Sequence, residues 1–296
     1  MKKEHRFYIN GEWKDSSSTE LIEIENPSTE EVIGTISAGT KEDIDLAVAA
    51  AKNAFQSFGF TSKEDRIAIL EEIIKNYEAS AEDLALCISE EMGAPLWLSQ
   101  VAQVASGLGH FKDTLAVLKD FEFESNEDHY LVRKEPIGVV GMITPWNWPM
   151  NQMCTKIASA IAAGTSFVLK PSEITPGAAQ LFAEVADKSS MPKGMFNLIH
   201  GYGATVGRAM SEHKDLEMIS FTGSTRAGID IQKTAADNIK RVIPDNMVAD
   251  IDLNKIKTLK IFNWLKKNGI SENEMLKTFN CGVGFCLIIN KKNLKK

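Results

Sequence analysis

The chain is poor in cysteine, has no long apolar run and carries no surplus of basic residues. Its four cysteines, Cys87, Cys154, Cys281 and Cys286, are scattered over 296 residues, too sparse for the disulfide framework of a small secreted domain. Cys281 and Cys286 lack the CxxC spacing of a zinc site, so no metal centre is expected. No apolar stretch reaches the roughly 18 residues of a membrane-spanning helix. The opening Met1-Lys2-Lys3-Glu4-His5-Arg6 is not followed by the apolar core of a signal peptide. A cytoplasmic protein with no membrane partner is the expectation. With 33 Lys and Arg against 40 Asp and Glu, the net charge is −7, which gives no electrostatic footprint for nucleic acid or an anionic membrane. A small-molecule ligand is the default partner.

Hydrophobic residues at 44% and charged residues at 25% exclude a disordered or fibrous class, and the length allows one large or two medium domains. Charge is unevenly spread. Residues 243–296 hold ten Lys and five Asp or Glu, a balance of +5 that leaves −12 for residues 1–242. Such a shift marks a domain boundary, although no Gly/Ser/Pro linker accompanies it.

Phe7-Tyr8-Ile9-Asn10-Gly11-Glu12-Trp13 reads as a hairpin, with Asn10-Gly11 supplying the positive φ angles of a two-residue turn. Thr40-Lys41-Glu42-Asp43 resembles a capping box. The helix it opens carries Ile44, Val48, Ala51 and Phe55 on one face. Ser62 caps a second helix with Ile67, Leu70, Ile74 and Tyr77, and helical periodicity continues to about Phe121; the Met and aromatic residues here read as core. After Leu131 short apolar runs alternate with helix-like stretches: Val139 to Ile143, Ser166 to Leu169, Met195 to Ile199 and Met218 to Phe221, between candidate helices at about 151–162, 175–188, 203–212 and 225–238. Continuous apolar runs alternating with helices predict parallel strands buried on both faces. The fold class is α/β, a doubly wound parallel sheet preceded by a helical region, and its ligand belongs at the carboxyl ends of the strands.

Each strand end bears a polar or Gly-rich signal. Thr144-Pro145-Trp146-Asn147-Trp148-Pro149 follows the first strand, and its prolines stiffen the turn. An amide such as Asn147, fixed in a dry pocket between two indoles, can bond a developing oxyanion; an Asn favoured by the turn itself is an equal alternative. Lys170-Pro171-Ser172-Glu173 follows the second, where a lysine and a carboxylate could bond the vicinal hydroxyls of a ribose. Glu173 would repel a 2′-phosphate, favouring NAD over NADP. A solvated Lys/Glu pair is the alternative. Gly201-Tyr202-Gly203-Ala204-Thr205-Val206-Gly207 follows the third, one residue too long for G-x-G-x-x-G. After the fourth, Phe221-Thr222-Gly223-Ser224-Thr225 passes from strand to helix, leaving free N–H groups and a positive helix end for a pyrophosphate, with Ser224 as a hydroxyl donor. The alternative is a well-capped helix with Gly chosen for the turn.

Together, Ile143-Thr144-Pro145-Trp146-Asn147-Trp148-Pro149, Leu169-Lys170-Pro171-Ser172-Glu173, Pro192-Lys193-Gly194-Met195-Phe196-Asn197 and Phe221-Thr222-Gly223-Ser224-Thr225 resemble the aldehyde dehydrogenase superfamily in order and spacing. Tyr8-Ile9-Asn10-Gly11-Glu12-Trp13 and Asn26-Pro27-Ser28-Thr29 extend the resemblance to about residues 7–242. It implies NAD(P)-dependent oxidation of a small-molecule aldehyde to an acid, in which a cysteine thiolate attacks the carbonyl and a glutamate activates the hydrolytic water. It also implies that Asn147 is the oxyanion-hole amide and that Lys170 and Glu173 hold the adenosine ribose. Ser224 and Trp146 then approach the pyrophosphate, and Gly203 and Gly207 lie near the adenine. Ile143, Thr144, Pro145, Ser172, Phe221, Thr222 and Gly223 complete the implied NAD site. Family members form homo-oligomers through a hairpin that packs on the catalytic domain.

Beyond Val242 the resemblance stops. Where the family carries its glutamate in a Glu-Leu-Gly-Gly context, this chain has Ile243-Pro244-Asp245-Asn246, and Asp245 is given no role. No Gly-rich approach to a nucleophilic cysteine is found; Cys281 lies near the counted position in the wrong surroundings. Val242-Ile243-Pro244-Asp245-Asn246, Ile261-Phe262-Asn263-Trp264-Leu265, Glu274-Met275 and Thr278-Phe279-Asn280-Cys281-Gly282-Val283-Gly284 resemble instead the carboxyl-terminal domain of phosphoribosylformylglycinamidine cyclo-ligase. The expectation is a chimeric chain: a truncated aldehyde dehydrogenase NAD-binding domain over 1–242 joined to a foreign α/β tail over 243–296. It would bind NAD without turning over aldehyde. The alternatives are an enzyme using Cys281, or a non-catalytic module or unstable fragment whose oligomeric state is open.

Overall fold

Asn10 and Gly11 adopt φ angles of +56° and +72°, the left-handed pair that a two-residue hairpin turn demands. They join β1 (Phe7–Ile9) to β2 (Glu12–Lys14), with Tyr8 opposite Trp13. In this computed structural model residues 6–127, 130–239 and 267–269 are described. The chain divides into two units, Met1–Lys240 and Arg241–Lys296. Of the second, the described residues are a helical Lys267 and a turn at Asn268-Gly269. The reading of residues 243–296 as a cyclo-ligase-like tail, with Asp245, Cys281 and Cys286, therefore lies outside the described residues.

Two further strands, β3 (Leu21–Asn26) and β4 (Glu31–Ser37), pair antiparallel and bury Ile22, Ile24 and Ile36 in a small core of their own. Helix α1 (Lys41–Phe58) opens on a capping box between Thr40 and Asp43, and α2 (Lys63–Ala79) on one between Ser62 and Asp65, each satisfying two N–H groups that a helix start leaves unpaired. On α1, Ile44, Val48 and Ala51 are fully buried and Phe55 is half-buried. The buried face of α2 is rotated from the expected one: it presents Arg66, Ile69, Leu70, Ile73 and Tyr77, and Ile67 and Ile74 flank it. Helix α3 (Ala81–Met92) ends at Gly93 in the left-handed region. A short α4 (Leu96–Leu98), a π-helical turn Ser99–Val104 and α5 (Ala105–Asp120) follow. Trp97 on α4 is 63% exposed, so not every aromatic of this region is core. A separate hairpin, β5 (Glu124–Glu127) and β6 (Tyr130–Arg133), comes next.

The α/β part then begins with β7 (Val139–Ile143), α6 (Pro149–Ala163), β8 (Ser166–Lys170), α7 (Gly177–Asp187) and β9 (Phe196–Leu198). Every residue of these three strands is buried, as continuous apolar runs covered on both faces require. Residues 203–212 are not one helix but a π-helical turn, Gly203–Gly207, leading into α8 (Arg208–Glu212). Strand β10 (Met218–Phe221) and α9 (Thr225–Ile239) close the described unit.

The sheet order is β10-β7-β8-β9-β1-β2. β10, β7, β8 and β9 are mutually parallel, as expected. The amino-terminal hairpin, however, adds to the edge of β9 antiparallel, through Tyr8 opposite Leu198, so the sheet is mixed rather than wholly parallel. Alternate residues feed two cores. Val140, Met142, Phe167, Leu169 and Leu198 face α6 and α7, whereas Val139, Ile143, Val168 and Ile199 face α1 and α8. From β7 the chain steps outward to β8 and β9, then returns to the other side of β7 with β10. The point of reversal opens a crevice between the carboxyl ends of β7 and β10, where ligands of such sheets bind.

Candidate cofactor-binding site

The strand register sets the floor of this crevice. Ile143 lies opposite Phe221 on one side and Lys170 on the other. The N–H of Thr222 donates to the Ile143 carbonyl at 3.0 Å, and that of Thr144 to the Lys170 carbonyl at 3.2 Å. Three strand ends therefore finish level with one another.

A cleft of about 530 Å³ lies above them, lined by Ile143, Thr144, Pro145, Trp146, Asn147, Lys170, Ser172, Glu173, Phe221, Thr222, Gly223 and Ser224, with Gln152, Ile174 and Ala227. A second of about 790 Å³ adjoins it and contains Gly203 and Gly207. The two share Ile143, Glu173, Phe221 and Ala227 and so form one continuous groove. All fourteen residues singled out in the sequence border that groove.

Lys170 is 2% exposed. Its ammonium donates to Glu173 Oε2 at 2.9 Å and to the Pro171 carbonyl at 3.0 Å. Burial pulls its pKa below the ordinary lysine value, and the adjacent Glu173 carboxylate opposes that shift. An ammonium has three hydrogens; two are used, and one is left to meet a ligand hydroxyl. Behind the pair, His200 is 1% exposed, and burial, followed by the nearby Lys170 charge, pushes its pKa down to about 3. It is a neutral imidazole at any physiological pH.

Dinucleotide chemistry fits the remaining surfaces. A Cβ at Gly203 would meet nothing within 4 Å, and one at Gly207 would first meet Ile143 Cδ1 at 3.8 Å, so both glycines leave open space where a flat ring can lie. At the α9 start the first-turn N–H groups lack intrahelical acceptors and can meet phosphate oxygens. Ser224 Oγ accepts from the Ala227 N–H at 3.3 Å, so this side chain also caps its own helix. Ser172 Oγ likewise accepts from the Ile174 N–H at 3.3 Å.

The expectation of a dry pocket around Asn147 is not met. Asn147 is exposed, and Trp146 and Trp148 are 48% and 36% exposed; among the described residues nothing closes over the amide. Cys87 and Cys154 are buried, with thiol pKa values pushed up by burial, and neither lines the groove. Among the described residues no cluster of His, Cys, Asp or Glu could hold a metal ion, and no helix is long and apolar enough to cross a membrane.

Sequence reasoning missed Tyr202, Arg208 and Arg226 at the groove's rim, although they adjoin the motifs. It also missed Glu91 and Gln103, which reach the site loops from helices far away in sequence. Glu91 is 1% exposed, and its carboxyl oxygens accept from the Gly177 N–H at the start of α7. No local pattern announces either residue.

A switch-point crevice floored by three level strand ends, with a buried Lys–Glu pair, an open glycine turn and a helix start at its edges, has the architecture of an α/β domain with a ligand groove at its strand ends. The chain belongs to the aldehyde dehydrogenase family, whose model matches residues 13–245. It is 45% identical over 243 residues to 3-succinoylsemialdehyde-pyridine dehydrogenase of a Pseudomonas species, covering 82% of this chain and 51% of that protein. The crystal structure of an aldehyde dehydrogenase from Bartonella henselae superposes with a TM-score of 0.79 at 47% identity, covering 81% of this chain and 51% of that one. Aldehyde dehydrogenase C of Pseudomonas syringae, a cysteine-to-alanine variant solved with NAD+ and octanal, gives 0.79 at 41% identity, covering 80% and 49%. The chain thus spans about half the length of the relatives it matches.

Proposed function

We propose that this chain binds NAD in the groove across the ends of β7, β8 and β10, as the cofactor domain of an enzyme type that oxidises aldehydes to carboxylic acids, and that it does not turn over aldehyde by itself. The observation that carries the reading is the buried Lys170, with one ammonium hydrogen unspent, beside Glu173 at the centre of the groove. The lysine would donate to a ribose hydroxyl and the glutamate accept from its neighbour. Glu173 also disfavours a 2′-phosphate, so NAD is preferred to NADP. In the reaction of the enzyme type the aldehyde is a small molecule and Asn147 stands where the oxyanion donor would be, here with no nucleophile to serve; the protein works in the cytoplasm. Turnover fails because the sequence carries no Glu-Leu-Gly-Gly strand and no Gly-rich approach to a cysteine.

Titration calorimetry with NAD tests the first half: the expected result is one site per chain with weaker binding of NADP. Mixing the protein with NAD and short aldehydes tests the second. A burst of NADH abolished by Asn147→Ala would show the chain to be a working enzyme and overturn the proposal.

A second reading, an unstable chimeric fragment, is favoured by one observation. No residue of β10 is buried, and Met218 is 42% exposed, unlike the covered strand β7 beside it. An open apolar edge predicts association or aggregation. A cooperative melt shifted upward by millimolar NAD would count against it. The join itself is tested by sequencing the genomic locus across the codons for Asn238 to Asn246.

A further inference from the structure

The loop that carries Asn147 is gripped from outside at two successive carbonyls. On one side Thr175 Oγ1 donates to the Trp146 carbonyl at 3.4 Å. On the other, Gln103 Nε2 donates to the Asn147 carbonyl at 3.2 Å and approaches Met92 Sδ at 3.4 Å. The Asn147 carbonyl is an acceptor, which fixes the orientation of the Gln103 amide. Gln103 is 1% exposed, and its Oε1 has no partner among the described residues.

A buried amide with one end unsatisfied is a poor core filler, since its unpaired Oε1 carries a desolvation cost that an apolar side chain of the same size avoids. What Gln103 supplies is the bond to the loop. Its backbone lies in the π-helical turn Ser99–Val104, an irregularity that re-aims a side chain relative to a regular helix and recurs at functional sites.

We propose that Gln103 is a positioning residue, holding the Thr144–Trp148 loop in the conformation that presents Trp146 and Asn147 to the cofactor groove. It touches neither cofactor nor substrate. The effect on NAD affinity rests on the function proposed above; the effect on the loop does not.

Two measurements test this on the full chain. Hydrogen–deuterium exchange over residues 144–152 reads the loop directly, and calorimetry reads NAD affinity. Gln103→Met, nearly isosteric and without a donor, is expected to raise exchange in that segment about tenfold and weaken NAD about fivefold, in the range of one lost hydrogen bond, without lowering the melting temperature. Gln103→Leu is run beside it and must reproduce the pattern if either variant folds less well. Met92→Leu, which removes the other contact of the amide, is expected to leave both readings unchanged. Unchanged exchange over 144–152 in the Gln103 variants would overturn the proposal. A lower melting temperature with unaltered exchange and affinity would also overturn it, leaving a merely structural role. If the wild-type chain binds no NAD, the cofactor reading fails, and the exchange result alone decides the role of Gln103.

Discussion

The Lys170 ammonium lies 2.9 Å from a carboxylate oxygen of Glu173, with the lysine side chain 3% exposed and the glutamate side chain 32% exposed. The pair is asymmetric, because one charge is fully desolvated and the other still meets water. Glu173→Gln keeps the shape and removes the charge that opposes a 2′-phosphate. The ratio of NADP to NAD affinity is expected to rise about tenfold, the worth of roughly 1–2 kcal/mol of repulsion at a few ångströms near a surface. Parallel titrations of the two cofactors against wild type and variant check it, and an unchanged ratio would place the 2′-hydroxyl away from Glu173.

Glu91 supports the same loop from behind by accepting the Gly177 N–H at 3.0 Å. Burial pushes its carboxyl pKa up from 4.5 to about 8, against the lowering effect of that backbone bond. Between pH 4.5 and about 8 the folded state therefore keeps a proton that the unfolded chain has already released, so the stability it contributes is fully present below that window and is lost as pH rises through it. Urea unfolding of wild type is expected to lose about 3 kcal/mol relative to Glu91→Gln between mildly acidic and mildly alkaline pH. A difference between the two proteins that does not vary with pH would show Glu91 to be ionised throughout.

The strands around the site were legible because their burial is written locally. Val139 to Ile143 holds no polar residue, and so short an apolar run between Gly138 and Thr144-Pro145 suits a strand covered on both faces. The Asn10-Gly11 turn was equally plain, since few residues accept its φ angles. Where the hairpin went was not legible: the pairing of Tyr8 with Leu198 joins segments far apart in sequence, and neither alone specifies the other. The same holds at the site. Lys170 and Glu173 stand three residues apart and announce themselves, whereas Gln103 meets Asn147 across 44 positions. The exposure of Asn147 could not be read from its flanking indoles, because dryness depends on what packs above a loop.

Arg66 is a second buried cation, 5% exposed, held by neutral acceptors. Its guanidinium donates to Thr61 Oγ1 and to the carbonyls of Gly59, Thr61 and Ala162, close to the carboxyl ends of α1 and α6, and it lies over the Phe123 ring at 5.4 Å. No basic residue occupies the last turn of either helix, so Arg66 supplies the positive charge that helix ends favour. Arg66→Met would strand several carbonyls and is expected to cost about 3 kcal/mol in urea unfolding. Arg66→Lys should recover less than half of that, because a compact ammonium cannot span a planar fork. Full recovery by lysine would mean that charge alone matters here.

Two glycines two positions apart separate binding from folding. Gly201 has φ +143°, and a Cβ there would lie 2.5 Å from Val206 Cγ2 and 3.0 Å from the Gly39 nitrogen. Gly201→Ala is therefore expected to destabilise the protein, by strain and by clash together. Gly203 has no neighbour within 4 Å of a built Cβ and borders the groove. Gly203→Val should melt within about 2 °C of wild type, since an unstrained surface change is worth only a few tenths of a kcal/mol. Its isopropyl group would nevertheless enter the space assigned to the adenine, and NAD affinity is expected to fall at least about tenfold. Melting curves and NAD titrations of both variants distinguish the cases. If Gly203→Val binds NAD as well as wild type, the adenine does not lie against the glycine turn, and the dinucleotide must run across the strand ends in some other direction.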